Sequence, residues 1–150
     1  MSNFFKKNSL YLAFAVSLMA MLGSLYFSEI AGFPPCVLCW YQRIGMYPLV
    51  AIIGTAIYTK DRNLLIPAFI LAIPGWLVSV YHNLLYYNLI PEAAAPCIAG
   101  VSCTTKFIEW FGFLTIPLLS LIAFTSILIL LTIHWKSFSN NQGVLNDQRS

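Results

Sequence analysis

The sequence predicts an all-α integral membrane protein, a bundle of four transmembrane helices. Three observations lead there. Of the 150 residues, 59% are hydrophobic and only 9% charged, whereas an average soluble domain is about a quarter charged. Four apolar runs each approach the ~20 residues needed to cross a hydrocarbon core. The lysines and arginines gather at alternate ends of those runs, the asymmetry that orients spans in a bilayer. Backbone groups in lipid must be paired within the span, so helices follow and an open sheet does not.

The first run is LYLAFAVSLMAMLGSLYFS, residues 10–28. Lys6 and Lys7 before it resemble the start of a secretory signal. The run exceeds the usual apolar core of about 7–15 residues and no small-x-small cleavage site follows, so it reads as a retained helix. The second runs from near Trp40 to Thr59, and the third from Leu64 to about Tyr81. The fourth, residues 113–133, contains no charge. One membrane domain over 1–136 follows, with 137–150 as a polar cytoplasmic tail; the length leaves no room for a separate soluble module.

Lys6, Lys7, Lys60, Arg62, Lys136 and Arg149 all fall on one side of this topology. The other side has the loop 29–37, without Lys or Arg, and the long loop 82–112, where Lys106 is the one fixed positive charge. Both termini are therefore expected in the cytoplasm. All four cysteines, Cys36, Cys39, Cys97 and Cys103, then lie outside. Disulfides persist there and are reduced in the cytosol. Nothing in the chain reads as a nucleic-acid partner; its partner by composition is the lipid bilayer.

Cys36 and Cys39 share one face of a helix. A disulfide between them closes a tiny loop and removes little unfolded-state entropy, so it is a poor staple and a good redox couple. Pro34–Pro35 before them fits a helix start, where a missing N–H costs nothing. The helix dipole and free N–H groups there favour a thiolate. Arg43 lies on the same face, four residues beyond Cys39. A charge so close to an apolar span is usually functional, holding a thiolate or an anionic cofactor form. The alternative is an arginine snorkelling to the headgroups.

Cys97 and Cys103 bracket IAGVS in the second outer loop. They read either as an exchangeable disulfide presented to a partner or as a loop staple. Four thiolates also make a zinc site conceivable, but an oxidising side disfavours free thiolates, and no metal is expected. Taken together, a mobile outer pair and an inner pair beside the lipid resemble two stations of an electron relay by thiol–disulfide exchange.

CVLCWYQR, the second outer cysteine pair and WFGFLTIP leading into the fourth helix resemble the DsbB family of quinone-dependent disulfide-forming membrane proteins. The short Cys-x5-Cys loop is closer to the compact BdbC-like branch. The resemblance implies a protein-disulfide oxidoreductase that reoxidises a DsbA/BdbD-like thiol oxidase of thioredoxin fold. It implies that the electrons pass to a membrane quinone, menaquinone or ubiquinone. Cys97 would form the mixed disulfide, Cys103 would attack Cys36, and Cys39 would be freed beside the quinone. Arg43 matches the family's quinone-site arginine, and His82 a histidine near the quinone. Independently, a lone His at an interface is more often a satisfied polar group. Gln42 stands where the family usually has an acidic residue. The segment 83–91 is expected as an interfacial helix or a lid, and Phe107, Trp110 and Phe111 as aromatic anchors of the loop's return.

Two other readings remain at this level. A structural tetraspan protein would use its cysteines as inert staples, with potentials typically below about −300 mV. A reductase of the vitamin K epoxide reductase type is also a four-helix bundle with cysteine pairs. Its C-x-x-C opens the last helix, the reverse of the order here.

Overall fold

The computed structural model describes residues 2–90 and 115–147, with side chains over 8–90 and 115–137. Four helices carry the fold: α1 (Ser2–Leu25), α2 (Val37–Thr59), α3 (Leu65–Tyr86) and α4 (Ile116–Asp147). A π-helical turn, Tyr26–Ile30, extends α1, and a short 3₁₀ turn, Arg62–Leu64, precedes α3. Each helix packs on the next and α4 closes on α1, making an antiparallel ring of four. By length and composition each helix contains a segment able to cross a membrane: Asn8–Ile30, Val37–Thr59, Arg62–Tyr86 and Ile116–Ser137.

The core is narrow because lipid covers the outside of the bundle. Leu49, Ile53, Phe124, Ile127 and Leu131 are wholly buried at its centre, with Ala13, Ala56, Ala68 and Ala72. Large apolar side chains such as Met19, Ile44, Ile70 and Ile129 point outward. Lipid is as apolar as leucine, so the helices associate by close packing of small residues. Gly75 of α3 shows this. A Cβ there would overlap the Phe124 ring, and one on Gly45 would lie 3.8 Å from the same ring. The ring fills the space these two glycines leave between α2, α3 and α4.

Polar contacts supplement the packing between α3 and α4. Trp76 Nε1 donates to Thr125 Oγ1 at 2.9 Å, and the Ser79 and Ser120 hydroxyls meet at 3.0 Å. Asn83 Nδ2 donates to the Pro117 carbonyl at 2.9 Å and to the Ser79 carbonyl at 2.8 Å. These bonds give α3 a reason to continue. The stretch expected as an interfacial helix or lid from residue 83 is, as far as Tyr86, the last turn of α3. His82, Asn83 and Leu85 are buried there, not spread on a membrane surface. At the other end α4 runs to Asp147, so helix continues through most of the stretch read as a polar tail.

Pro34 and Pro35 do not open α2. They precede its cap: Cys36 is the N-cap, with extended backbone (φ −71°, ψ 170°), and Val37 is the first helical residue. A proline disfavours helical conformation in the residue before it, so the tandem keeps Pro34 extended and sets where the chain turns into α2. Pro48 and Pro74 lie within α2 and α3. Spans tolerate such prolines where neighbouring groups re-satisfy the freed carbonyls.

Candidate functional site

Cys36 caps α2 with sulfur in place of the usual oxygen. Its Sγ accepts the Cys39 backbone N–H at 3.4 Å, and its carbonyl accepts the Trp40 N–H at 3.1 Å, the first bond of the helix. One turn on, Cys39 brings its own Sγ to 3.0 Å from that of Cys36; both are thiols in this structure. From α3, 46 positions later, His82 sets Nε2 3.9 Å from the Cys36 sulfur. His82 is 2% exposed and Cys36 7%. The sequence-predicted pair and the predicted histidine therefore share one buried site.

Gln42 completes it. Its Nε2 lies 3.2 Å from His82 Nδ1. An amide nitrogen only donates, so with Gln42 in this orientation Nδ1 accepts and the ring N–H is on Nε2, facing the sulfur. Cys36, just ahead of the membrane-spanning part of α2, thus collects donors. The Cys39 thiol hydrogen bond pulls its pKa well below the ordinary thiol value, burial opposes this, and His82 reinforces it. With both cysteines reduced, Cys36 is the sulfur toward which the Cys39 N–H, the Cys39 thiol and His82 converge. The sequence singled out Gln42 only as a departure from a family pattern. Its i, i+3 relation to Cys39 was the available signal, because that spacing puts both on one helix face.

Arg43 reaches across to α1. One terminal guanidinium nitrogen donates to the Ser24 carbonyl at 3.1 Å, next to the π turn, and the guanidinium carbon lies 5.5 Å from the Trp40 ring centroid. Its Nε is buried with no hydrogen-bond partner among the described residues. The guanidinium is also close enough to act electrostatically on Cys39.

A cavity of about 510 Å³ lies against these groups. Cys36, Cys39, Gln42, Arg43 and His82 form its polar wall; Met19, Phe27, Met46, Ile116 and Phe124 are among its apolar lining. That size and apolar character suit a small organic ligand held by a few polar contacts. The contributions of α1 and α4 were invisible in the sequence, where those residues read as ordinary span. Cys97 and Cys103, with Phe107, Trp110 and Phe111, lie outside the described residues.

Four membrane-length helices that bury a Cys-x-x-Cys pair beside an imidazole and an apolar cavity define a membrane thiol–disulfide oxidoreductase. The family model for disulfide bond formation protein DsbB matches residues 6–134, and the chain belongs to that family. It is 50% identical over 122 residues to disulfide bond formation protein C of Bacillus subtilis (strain 168), covering 80% of this chain and 87% of that protein. A probable disulfide formation protein C 1 of Bacillus anthracis is 46% identical over 121 residues, 81% of this chain and 87% of the relative. A probable disulfide formation protein of Oceanobacillus iheyensis is 39% identical over 125 residues, 83% of this chain and 86% of the relative. No solved structure gives a significant match. The protein is a multi-pass membrane disulfide oxidoreductase, and the stapled-tetraspan and epoxide-reductase readings fall away.

Proposed function

We propose that this protein reoxidises a DsbA/BdbD-like thiol oxidase of thioredoxin fold and passes the electrons to a membrane quinone. The observation that carries this is the Cys36–Cys39 pair on the wall of an apolar cavity that Arg43 also lines. A buried guanidinium nitrogen without a partner fits a ligand carrying an acceptor oxygen. The group such a cavity would take, a quinone, supplies a two-electron, two-proton sink when bound. Arg43 and the apolar wall would hold it beside Cys39.

A partner thiolate attacks Cys97 and releases Cys103. Cys103 attacks Cys36 of the Cys36–Cys39 disulfide, and Cys39 leaves as a thiolate. The partner's second thiol attacks its own mixed disulfide and frees Cys97, and the partner departs oxidised. Cys97 attacks Cys103, restoring the outer disulfide and releasing Cys36. The inner pair now holds two electrons; as the Cys36–Cys39 bond re-forms through Cys39, a quinone held by Arg43 and the apolar wall would take them with the two thiol protons. His82 stabilises Cys36 while it is a thiolate, from the 3.9 Å position of Nε2. Both termini lie in the cytoplasm and the four cysteines outside, on the grounds of the Lys6, Lys7, Lys60, Arg62 and Lys136 distribution. The site belongs to a bacterial cell membrane.

Purified protein reconstituted with quinone and a reduced thioredoxin-fold partner tests the activity. One quinone should be consumed per partner disulfide formed; partner oxidation that ignores quinone overturns the reading. Sidedness has its own test. After reduction, a membrane-impermeant thiol reagent added to intact cells should label the cysteines, and labelling that needs lysis reverses the orientation.

A further inference from the structure

The three groups that meet at the start of α2 have a property that electron transfer does not use. Cys36 Sγ, Cys39 Sγ and a His82 ring nitrogen all lie within 4.8 Å of one another, and Cys36 and His82 are buried. We propose that the reduced pair and His82 form a three-ligand site for a d¹⁰ divalent cation of the zinc and cadmium class, with the fourth position open to the cavity. This differs from a four-thiolate zinc site, because it uses one cysteine pair, one imidazole and no outer-loop residue.

The geometry is near what such an ion requires. Tetrahedral coordination with metal–sulfur distances of about 2.3 Å and metal–nitrogen of about 2.0–2.1 Å sets sulfurs ~3.8 Å apart and sulfur–nitrogen pairs ~3.6 Å apart. The structure has 3.0 Å between the sulfurs and 3.9 Å from Cys36 to His82. Opening the pair by roughly 0.8 Å is a small side-chain rotation at Cys39, set against the coordination distances. Two thiolates neutralise the dication, so the nearby Arg43 charge faces a neutral complex. Arg43 is in any case held to the Ser24 carbonyl.

Gln42 supplies the outer partner. A ligating imidazole donates its second N–H to an acceptor, and such partners set affinity by about 10- to 100-fold. Turning the Gln42 amide end for end presents Oε1 to His82 Nδ1 in place of Nε2, at the same 3.2 Å contact. His82 then offers an Nε2 lone pair to the ion. Binding displaces the remaining thiol protons and moves no electrons. It also holds both sulfurs as thiolates and blocks their return to a disulfide, so zinc stops turnover by trapping the reduced enzyme. The oxidised enzyme, whose sulfurs are bonded to each other, has no such site.

The experiment uses full-length protein in nanodiscs with Cys97→Ser and Cys103→Ser, so that the inner pair supplies the only thiols. Cadmium chloride is titrated into reduced and oxidised samples, and the ultraviolet cadmium–thiolate charge-transfer band is followed. A saturable band at one ion per protein is expected in the reduced sample alone. Gln42→Leu should weaken binding about 10- to 100-fold, and His82→Ala, which removes a ligand, by more. Should His82→Ala not fold, His82→Asn keeps a buried polar side chain and gives the same comparison. A band absent from the reduced protein, or present at equal strength in the oxidised one, overturns the site. Undiminished affinity in both His82 variants reduces it to a bare dithiol and overturns the proposal as stated. Because binding is read without partner or quinone, its failure is separate from failure of the electron path.

Discussion

Two arginines sit beside tryptophans at opposite ends of this bundle, and they are used differently. Arg62, in the turn between α2 and α3, lays its guanidinium 4.0 Å over the Trp135 ring, which meets Phe69 edge to face at 6.3 Å. That is a clamp between the α3 and α4 ends. Arg43 stands farther from its tryptophan, 5.5 Å from Trp40, and is turned inward to the Ser24 carbonyl and the cavity it helps to line. The histidines repeat the contrast. His134 is half-buried and faces the Ser9 hydroxyl at 3.3 Å, tying α4 to α1. His82 is buried between Gln42 and the Cys36 sulfur. Residue type does not distinguish structure from chemistry here. What distinguishes them is whether the group lines the cavity, as Arg43 and His82 do, or packs between helix ends away from it.

The largest loss of activity is expected at the sulfurs. Cys39→Ala should lower quinone-linked turnover by three orders of magnitude or more, the scale on which removal of a covalent participant acts. Cys97→Ala should abolish the mixed disulfide with the partner while leaving the inner pair able to exchange electrons with quinone. If both variants keep full turnover, the relay is wrong.

Arg43 comes next. Arg43→Ala should raise the apparent KM for quinone by about 10- to 100-fold, the worth of a hydrogen bond to a charged group, with partner binding little changed. Arg43→Lys should do less harm, because it keeps the charge and loses the planar fork. An unaltered KM in the alanine variant would mean that Arg43 merely snorkels.

A pH profile separates the two ends by a different measure. Cys36 is held below the ordinary thiol pKa, first by Cys39 and then by His82. Thiolate absorbance of the reduced inner pair should therefore appear at a pH below the usual thiol range of about 8.5. His82→Ala should shift the midpoint upward. The depressed folded value favours the folded reduced protein fully above the unfolded thiol pKa, and this is lost as pH falls through the folded pKa. His134→Ala, at the far end, should leave the profile unmoved.

The smallest effect belongs to the clamp. Arg62→Ala should cost about 0.5–1 kcal/mol of stability, the value of an accessible cation–π contact. Quinone KM and turnover should stay at wild-type values. A kinetic defect in Arg62→Ala equal to that of Arg43→Ala would erase the distinction between the ends.

The membrane class was legible in the sequence because hydropathy and charge are sums over neighbouring residues, and lipid reads those sums directly. Cys36, Cys39 and Arg43 were legible for a similar reason: helical spacing puts them on one face without help from the rest of the chain. The limits of the helices were read less well. His82 and Asn83 look like the polar end of a span, and yet α3 continues to Tyr86, where Cys36 and Gln42 meet the His82 ring and the Ser79 and Pro117 carbonyls accept from the Asn83 amide nitrogen inside the bundle. The tandem proline marked the right neighbourhood and the wrong position, since the cap is Cys36 itself. Only the tertiary structure decided that His82 addresses Cys36, that Gln42 sets its tautomer, and that Arg43 bonds to α1. Those contacts join residues 19 to 46 positions apart. They form where helices pack around small residues, and no local sum along the chain records which faces will meet.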